Sequence, residues 1–341
     1  IEELERLALE RCTSAREAVL LMGSLAEKYG YADSGECLTV PDPKEVWFFE
    51  MVGCGKDRTG AVWGAKRLPD DHVGVSANVP RIGILEKKDK RNFLCSDNVE
   101  KVALEYGLWD GKSEFKFWQV YKAEYARGRN YRERDWFILN ALAPSLGLTQ
   151  DMDEIPFSVR PDKNVSVEDV FELLRSTYEG TPLDMCANIT IKDGQVSPLA
   201  NPWMTTTMRN TLNHIKPGVV PFQRTVSVAW CSYSTVIQLR SDLPDAVGGV
   251  CYLALDNPGQ SPRIPIFCGN TRVPEAYGRC GQNTYDPSIA LWQFRKANKL
   301  ATLAWQKTKG PFMEEVMNQQ KDMLSTVRSL DANADSDTLN E

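Results

Sequence analysis

Four polar residues stand where this sequence could do chemistry. Asn78 closes Ser76-Ala77-Asn78-Val79-Pro80 at the end of a β-like run. An amide at a strand end can donate to an oxygen that gains charge in a transition state. The alternative is an Asx-turn ahead of Pro80. Arg134, in Arg132-Glu133-Arg134-Asp135-Trp136, precedes an apolar helical pattern. Its guanidinium could clamp a carboxylate bidentately, or serve only as a solvated helix end. Arg240 follows the strand-like Gln238-Leu239, and Asp245 opens Asp245-Ala246-Val247-Gly248-Gly249. The glycine pair there permits close backbone approach to a ligand, a bulge or a tight turn. The Asp70-Asp71 pair reads as a turn. Only two histidines are present, His72 and His214, which makes a His-rich zinc site unsuited and leaves few ways to build a Ser-His-Asp triad. Nine cysteines include no CxxC pair, and their odd number suits buried, reduced thiols. Cys12 lies among helical residues with no histidine near it in sequence, which argues against a nucleophile there.

The elements that must position these residues alternate between helix and strand. Two helices are expected over residues 1–29, the second starting near Ala15 behind the Ser14-Ala15-Arg16-Glu17 box and ending at Gly30. Glu45–Glu50, Gly60–Arg67 and Val73–Asn78 read as three short strands of an antiparallel meander. Residues 97–147 read as mostly helical, including Asn98–Glu105 and Trp136–Leu142. Ser166-x-x-Asp169 opens another helix, stopped by Gly180 and Pro182. Thr225–Trp230, Gly249–Leu255 and Arg263–Phe267 read as strands, and residues 287–328 as helical. This order suits a layered α+β domain.

Composition narrows the classes. An apolar fraction of 42% in 341 residues can bury a substantial core. The net charge of −6 disfavours nucleic acid or anionic lipid as a partner. The sequence has no apolar run of about 18 residues, so no membrane insertion is expected. Residues Leu4, Leu7 and Ala8 place Ile1 at the start of an already helical pattern, as in a fragment or processed chain.

Taken together, these stretches resemble the C69 dipeptidase family, cysteine-type members of the N-terminal nucleophile hydrolases, to which the secernins are distantly related. The likeness rests on Tyr29-Gly30-Tyr31, Glu45-Val46-Trp47 with Glu50, Arg67-Leu68-Pro69-Asp70-Asp71 and Ala77-Asn78-x-x-Arg81-Ile82. It continues through Phe157-Ser158-Val159-Arg160-Pro161-Asp162, Tyr178–Met185, Gln238-Leu239-Arg240-x-x-Leu243-Pro244-Asp245 and Arg272-Val273-Pro274-Glu275. The resemblance implies a four-layer αββα sandwich spanning residues 1–330, incomplete at its N-terminus; residues 331–341, polar in composition, read as a disordered tail. It implies an N-terminal Cys nucleophile whose own α-amino group is the base, with no cofactor and no metal. That Cys is absent from this sequence, so a separate or preceding segment is expected to carry it.

Within this resemblance Asn78 corresponds to the oxyanion-hole Asn of related bile-salt and penicillin hydrolases, and Arg134 to their late active-site Arg. Arg240 and Asp245 are weaker candidates for binding a peptide terminus. The expected function is hydrolysis of short peptides, with a homo-oligomer possible. The alternatives are a catalytically inactive structural or interaction subunit, and an amidase acting on a non-peptide amide.

Overall fold

The computed structural model describes residues 1–127, 132–281 and 283–333, which form two compact units, Ile1–Asn164 and Val165–Glu341. Both are mixed α/β with antiparallel sheets.

In the first unit two helices lead, α1 (Glu2–Arg11) and α2 (Ala15–Tyr29). Ser14 caps α2 by accepting from the Glu17 amide at 3.3 Å, as its spacing predicts. Four strands follow: β1 (Glu36–Pro41), β2 (Val46–Gly53), β3 (Ala61–Arg67) and a two-residue β4 (Val73–Gly74). Then come β5 (Phe93–Cys95), α3 (Val99–Glu105), α4 (Phe117–Tyr121), α5 (Glu133–Leu142) and β6 (Ser158–Val159). The main sheet has the order β1-β2-β3-β5, all antiparallel. The β2–β3 hairpin matches the expected meander, but the third member does not. Val73–Gly74 leaves that sheet to pair with Ser158–Val159, and the chain then turns through Asn78 at a φ of 65°. A turn in the left-handed region followed by a proline cannot continue a ladder. Glu36–Pro41, which carries no strong alternation, takes the sheet edge instead.

Alternation along β2 decides which side chains meet which layer. Trp47, Phe49 and Met51 pack against Ala15, Val19, Met22 and Ala26 of α2. The opposite face carries Phe48, Glu50 and Val52; Val52 packs with Ile82, Phe93, Val102 and Phe117 around α3 and α4. Gly23 lets α2 approach this sheet closely, since a Cβ there would lie 2.3 Å from the Trp63 ring. Trp63 is held by its Nε1–H donating to Glu27 at 2.7 Å and cannot swing clear cheaply. Gly23→Ala is therefore expected to destabilise the protein by about 1–3 kcal/mol despite Ala's better helix propensity. A urea midpoint equal to or above that of the wild type would contradict this packing argument.

The second unit holds α6 (Val167–Arg175), α7 (Thr206–Ile215), β7 (Tyr233–Leu239), α8 (Asp245–Gly248), β8 (Gly249–Leu255), β9 (Ile264–Phe267), α9 (Glu275–Gly278), α10 (Ala290–Thr302) and α11 (Trp305–Ala332). Its sheet has the order β7-β8-β9, and Val250 and Tyr252 pack against Phe171 of α6 and Leu324 and Val327 of α11. Ser166 and Asp169 form the expected capping box, though the helix ends at Arg175, before Gly180. The strand expected at Thr225–Trp230 is irregular, and β7 lies just beyond it. Ser227 explains why: its backbone N–H donates to Ser176 O, its hydroxyl to Asn257 Oδ1 at 2.7 Å, and its carbonyl accepts from Trp203 Nε1 at 3.0 Å. Those partners replace a ladder neighbour. Helix α11 runs through Ala332, and residues 334–341, most of the expected tail, lie outside the described residues.

Candidate active site

Between β4 and α4 the chain makes a tight turn that three charged side chains hold in place. Ser76 Oγ donates to Val79 O at 2.9 Å across the turn. Behind it, the Glu50 carboxylate accepts from the backbone amides of Arg81 at 2.6 Å and Ile82 at 3.1 Å. The Arg81 guanidinium donates to the carbonyls of Val75, Ile155 and Pro156 and lies 3.5 Å from Asp135. Arg134, only 9% exposed, reaches over from α5, and its Nη2 donates to Ala77 O at 2.9 Å and to Asn78 Oδ1 at 2.8 Å.

The last contact brings together two predicted residues that are 56 positions apart. It also fixes which way the Asn78 amide faces. Arginine only donates, so the Asn78 atom next to it must be oxygen. The Nδ2 end, on an exposed residue, has no acceptor among the described residues. The amide is thus an oriented donor rather than the Asx-turn that its position before Pro80 also allowed. Arg134 itself lies in the first turn of α5, which begins at Glu133 rather than Trp136. Glu133 and Asp135 favour that earlier start, because acidic side chains suit a helix N-terminus.

Arg240 and Asp245 lie in the second unit. Arg240 donates to Val247 O at 2.5 Å and pairs with Asp331, while Asp245 is exposed at the start of α8. Asp70 and Asp71 form the expected turn, Asp70 pairing with Arg67 and Asp71 with Arg160. Among the described residues no group of three or more His, Cys, Asp or Glu is placed to hold a metal ion, and no helix is long and apolar enough to cross a membrane.

Sequence reasoning missed Glu50, Arg81, Asp135 and Lys122 as site residues. A signal existed for Glu50, the one charged residue within Val46-Trp47-Phe48-Phe49-Glu50-Met51-Val52. Its cross-strand partner Gly64 has no side chain, which leaves the carboxylate room. Burial pushes the Glu50 carboxyl up to about 7, against the two amides and Arg81 that favour its charge. Asp135, fully buried, is pushed up to about 6 by the same cause, opposed by Arg81, Arg134, Lys122 and Arg132. Cys37 faces Glu50 across the β1–β2 pair, and burial and then the Glu50 charge hold its thiol well above the ordinary range. Cys12 is raised too, by burial first, so neither thiol is activated as a nucleophile.

These carboxyls predict how stability depends on pH. Folded Glu50 binds its proton more tightly than it does unfolded, so stability is lost as pH rises from about 4.5 to about 7. Ionising this one group costs about 3 kcal/mol in the folded state. Asp135 adds to the same trend from about 4 to 6. Glu50→Gln is expected to flatten the fall in melting temperature between pH 5 and pH 7.5. An unchanged difference between the two pH values would remove Glu50 as its source.

This arrangement, a mixed α/β frame with an oriented amide donor and buried counter-charges, is of the kind that hydrolytic enzymes use to stabilise an oxyanion. Comparison with known proteins shows the family. Residues 1–319 match the model of peptidase family C69, and the chain belongs to that family. It is 29% identical over 80% of its length to a probable dipeptidase of Latilactobacillus sakei, covering 50% of that protein. It is similar to a probable dipeptidase of Salmonella dublin at 28% identity, covering 79% of this chain and 54% of that protein. Dipeptidase A of Lactobacillus helveticus is 25% identical, with 81% of this chain and 52% of that protein covered. The chain therefore spans about half the length of these curated relatives.

Proposed function

We propose that this chain is the larger part of a cysteine-type dipeptidase that releases amino acids from short peptides. The observation that carries the reading is the 2.8 Å bond from Arg134 to Asn78 Oδ1, which leaves the Asn78 amide group as a fixed, accessible donor. The nucleophile in this reading is an N-terminal Cys on a segment outside the chain, with its own α-amine as the base. Thiolate attack on the peptide carbonyl places negative charge on the oxygen, and Asn78 Nδ2 donates to it. Collapse breaks the C–N bond, and the leaving amine takes the proton that the α-amine held. Water then cleaves the thioester and restores the thiol. Arg134 orients the donor and does not touch the reacting atoms. The same reading assigns residues 1–330 to a four-layer αββα sandwich, supported by family membership and by the antiparallel sheets with helices packed on them.

The test combines N-terminal sequencing of the purified full-length protein with hydrolysis assays on dipeptides and on acylated amines. A Cys-initiated chain and dipeptide cleavage are expected. A different residue at that position with no turnover would favour a structural subunit instead, and cleavage of acylated amines alone would favour a non-peptide amidase.

A further inference from the structure

The turn that carries Asn78 also forms one wall of a small cleft. Val79, Pro80 and Arg81 line it on that side, with Trp118, Lys122 and Arg132 among the residues on the others. Its volume is about 20 Å³, room for a group the size of a carboxylate head but not for a side chain. The charges around it are not balanced. Glu154 on the rim is taken by Lys116 at 2.6 Å, and Asp153 is exposed to solvent. Arg81 is occupied by three carbonyls and Asp135, and Arg132 donates to Met152 O. Lys122 is left. It is 8% exposed, its ammonium lies 5.8 Å from the centre of the Trp118 ring, and among the described residues it makes no hydrogen bond or ion pair. The charge of Asp135 acts on it, but the two make no ion pair. Its stem is buried while the ammonium reaches solvent at the cleft, so an anion entering there would meet a cation that lacks an acceptor.

We propose that this cleft holds the free C-terminal carboxylate of the substrate, with Lys122 as its counter-ion; the inference rests on the dipeptidase reading above. Spacing supports it. In a dipeptide the scissile carbonyl carbon and the carboxylate carbon are separated by only N and Cα, about 4 Å at most. The cleft begins one residue after Asn78, a Cα step of about 3.8 Å. A dipeptide whose carbonyl oxygen sits at Asn78 Nδ2 has its carboxylate within the same short range as that step. A longer peptide would present a neutral amide there, leaving Lys122 unpaired. The device would make the enzyme measure length by charge.

The experiment compares one dipeptide with its C-terminal amide, using the full-length protein. Wild type is expected to prefer the free acid by at least about 10-fold in kcat/KM, as the loss of a hydrogen bond to a charged group implies. Lys122→Met should lower that acid-over-amide ratio by about 10–100-fold, and Lys122→Arg should retain part of it. A ratio in K122M within threefold of the wild type would overturn the assignment. A second reading needs no variant: the product amino acid should inhibit wild type competitively, its amide at least tenfold more weakly. Equal inhibition by the two would also overturn it. If wild type cleaves no dipeptide at all, the parent reading fails. If it cleaves dipeptides and amides equally well, only the carboxylate site fails.

Discussion

Replacing Asn78 by Gly in the full-length protein is expected to lower kcat by on the order of 10²-fold or more with little change in KM. A donor aimed at the developing oxyanion acts mainly in the transition state, so its loss falls on kcat. Glycine is the informative substitution because Asn78 holds a φ of 65°. Alanine would add backbone strain of about 1 kcal/mol and confuse lost chemistry with lost folding. Glycine removes the amide and accepts that conformation freely. Asn78→Asp supplies the complement, keeping the size but putting an acceptor where a donor is needed, and it should be at least as damaging. Steady-state kinetics on a dipeptide decide the matter. Turnover in N78G within threefold of wild type would remove Asn78 from the site.

The second large effect belongs to Arg134. Its Nη2 bonds to Ala77 O and Asn78 Oδ1 hold the amide that the proposed mechanism uses as a donor. Arg134→Met should therefore lower kcat by about 10–10²-fold, equivalent to roughly 1.4–2.8 kcal/mol of transition-state stabilisation. Arg134→Lys should recover part of this, since an ammonium can still donate to one or both oxygens. A structural role alone would show only as a lower melting temperature. Positioning predicts more: R134M and N78G combined should cost little beyond N78G alone, because an absent donor needs no orienting. Fully additive losses would show that Arg134 acts on its own. A stability loss of about 1–3 kcal/mol is expected alongside, from the Ala77 carbonyl left without its donor.

Local patterns revealed some of this, and their limits have physical causes. The helix caps at Ser14 and Ser166 and the β2–β3 hairpin follow from interactions between residues close in sequence, and they formed as expected. Thr225–Trp230 alternates as well as any strand in the chain but has no ladder neighbour, because distant groups at Ser176, Trp203 and Asn257 bind its backbone and hydroxyl. Alternation reports only what a segment could pair with. Val73–Asn78 is a strand only over Val73–Gly74 for a related reason. Two arginines and a glutamate hold its continuation in a turn.

The candidate site divides the same way. Residue type and spacing left Asn78 and Arg134 open to ordinary structural readings, and the family resemblance selected them; the low histidine count pointed away from histidine catalysis. Selection did not explain how they work together. The amide of Asn78 has two chemically opposite ends, and only a donor arriving from 56 residues away settles which end faces outward. Lys122 looks in sequence like any surface lysine in Gln119-Val120-Tyr121-Lys122. Burial beside Trp118 with no acceptor makes it a candidate ligand. Glu50 lies between these cases, since a lone charge in an apolar strand stands out but could be an edge residue facing water. The sequence determined family, element types and candidate chemistry, because those depend on residue type and short spacing. Donor direction, burial and unmatched charge depend on which distant groups come to share a few ångströms, and only the tertiary structure decided them.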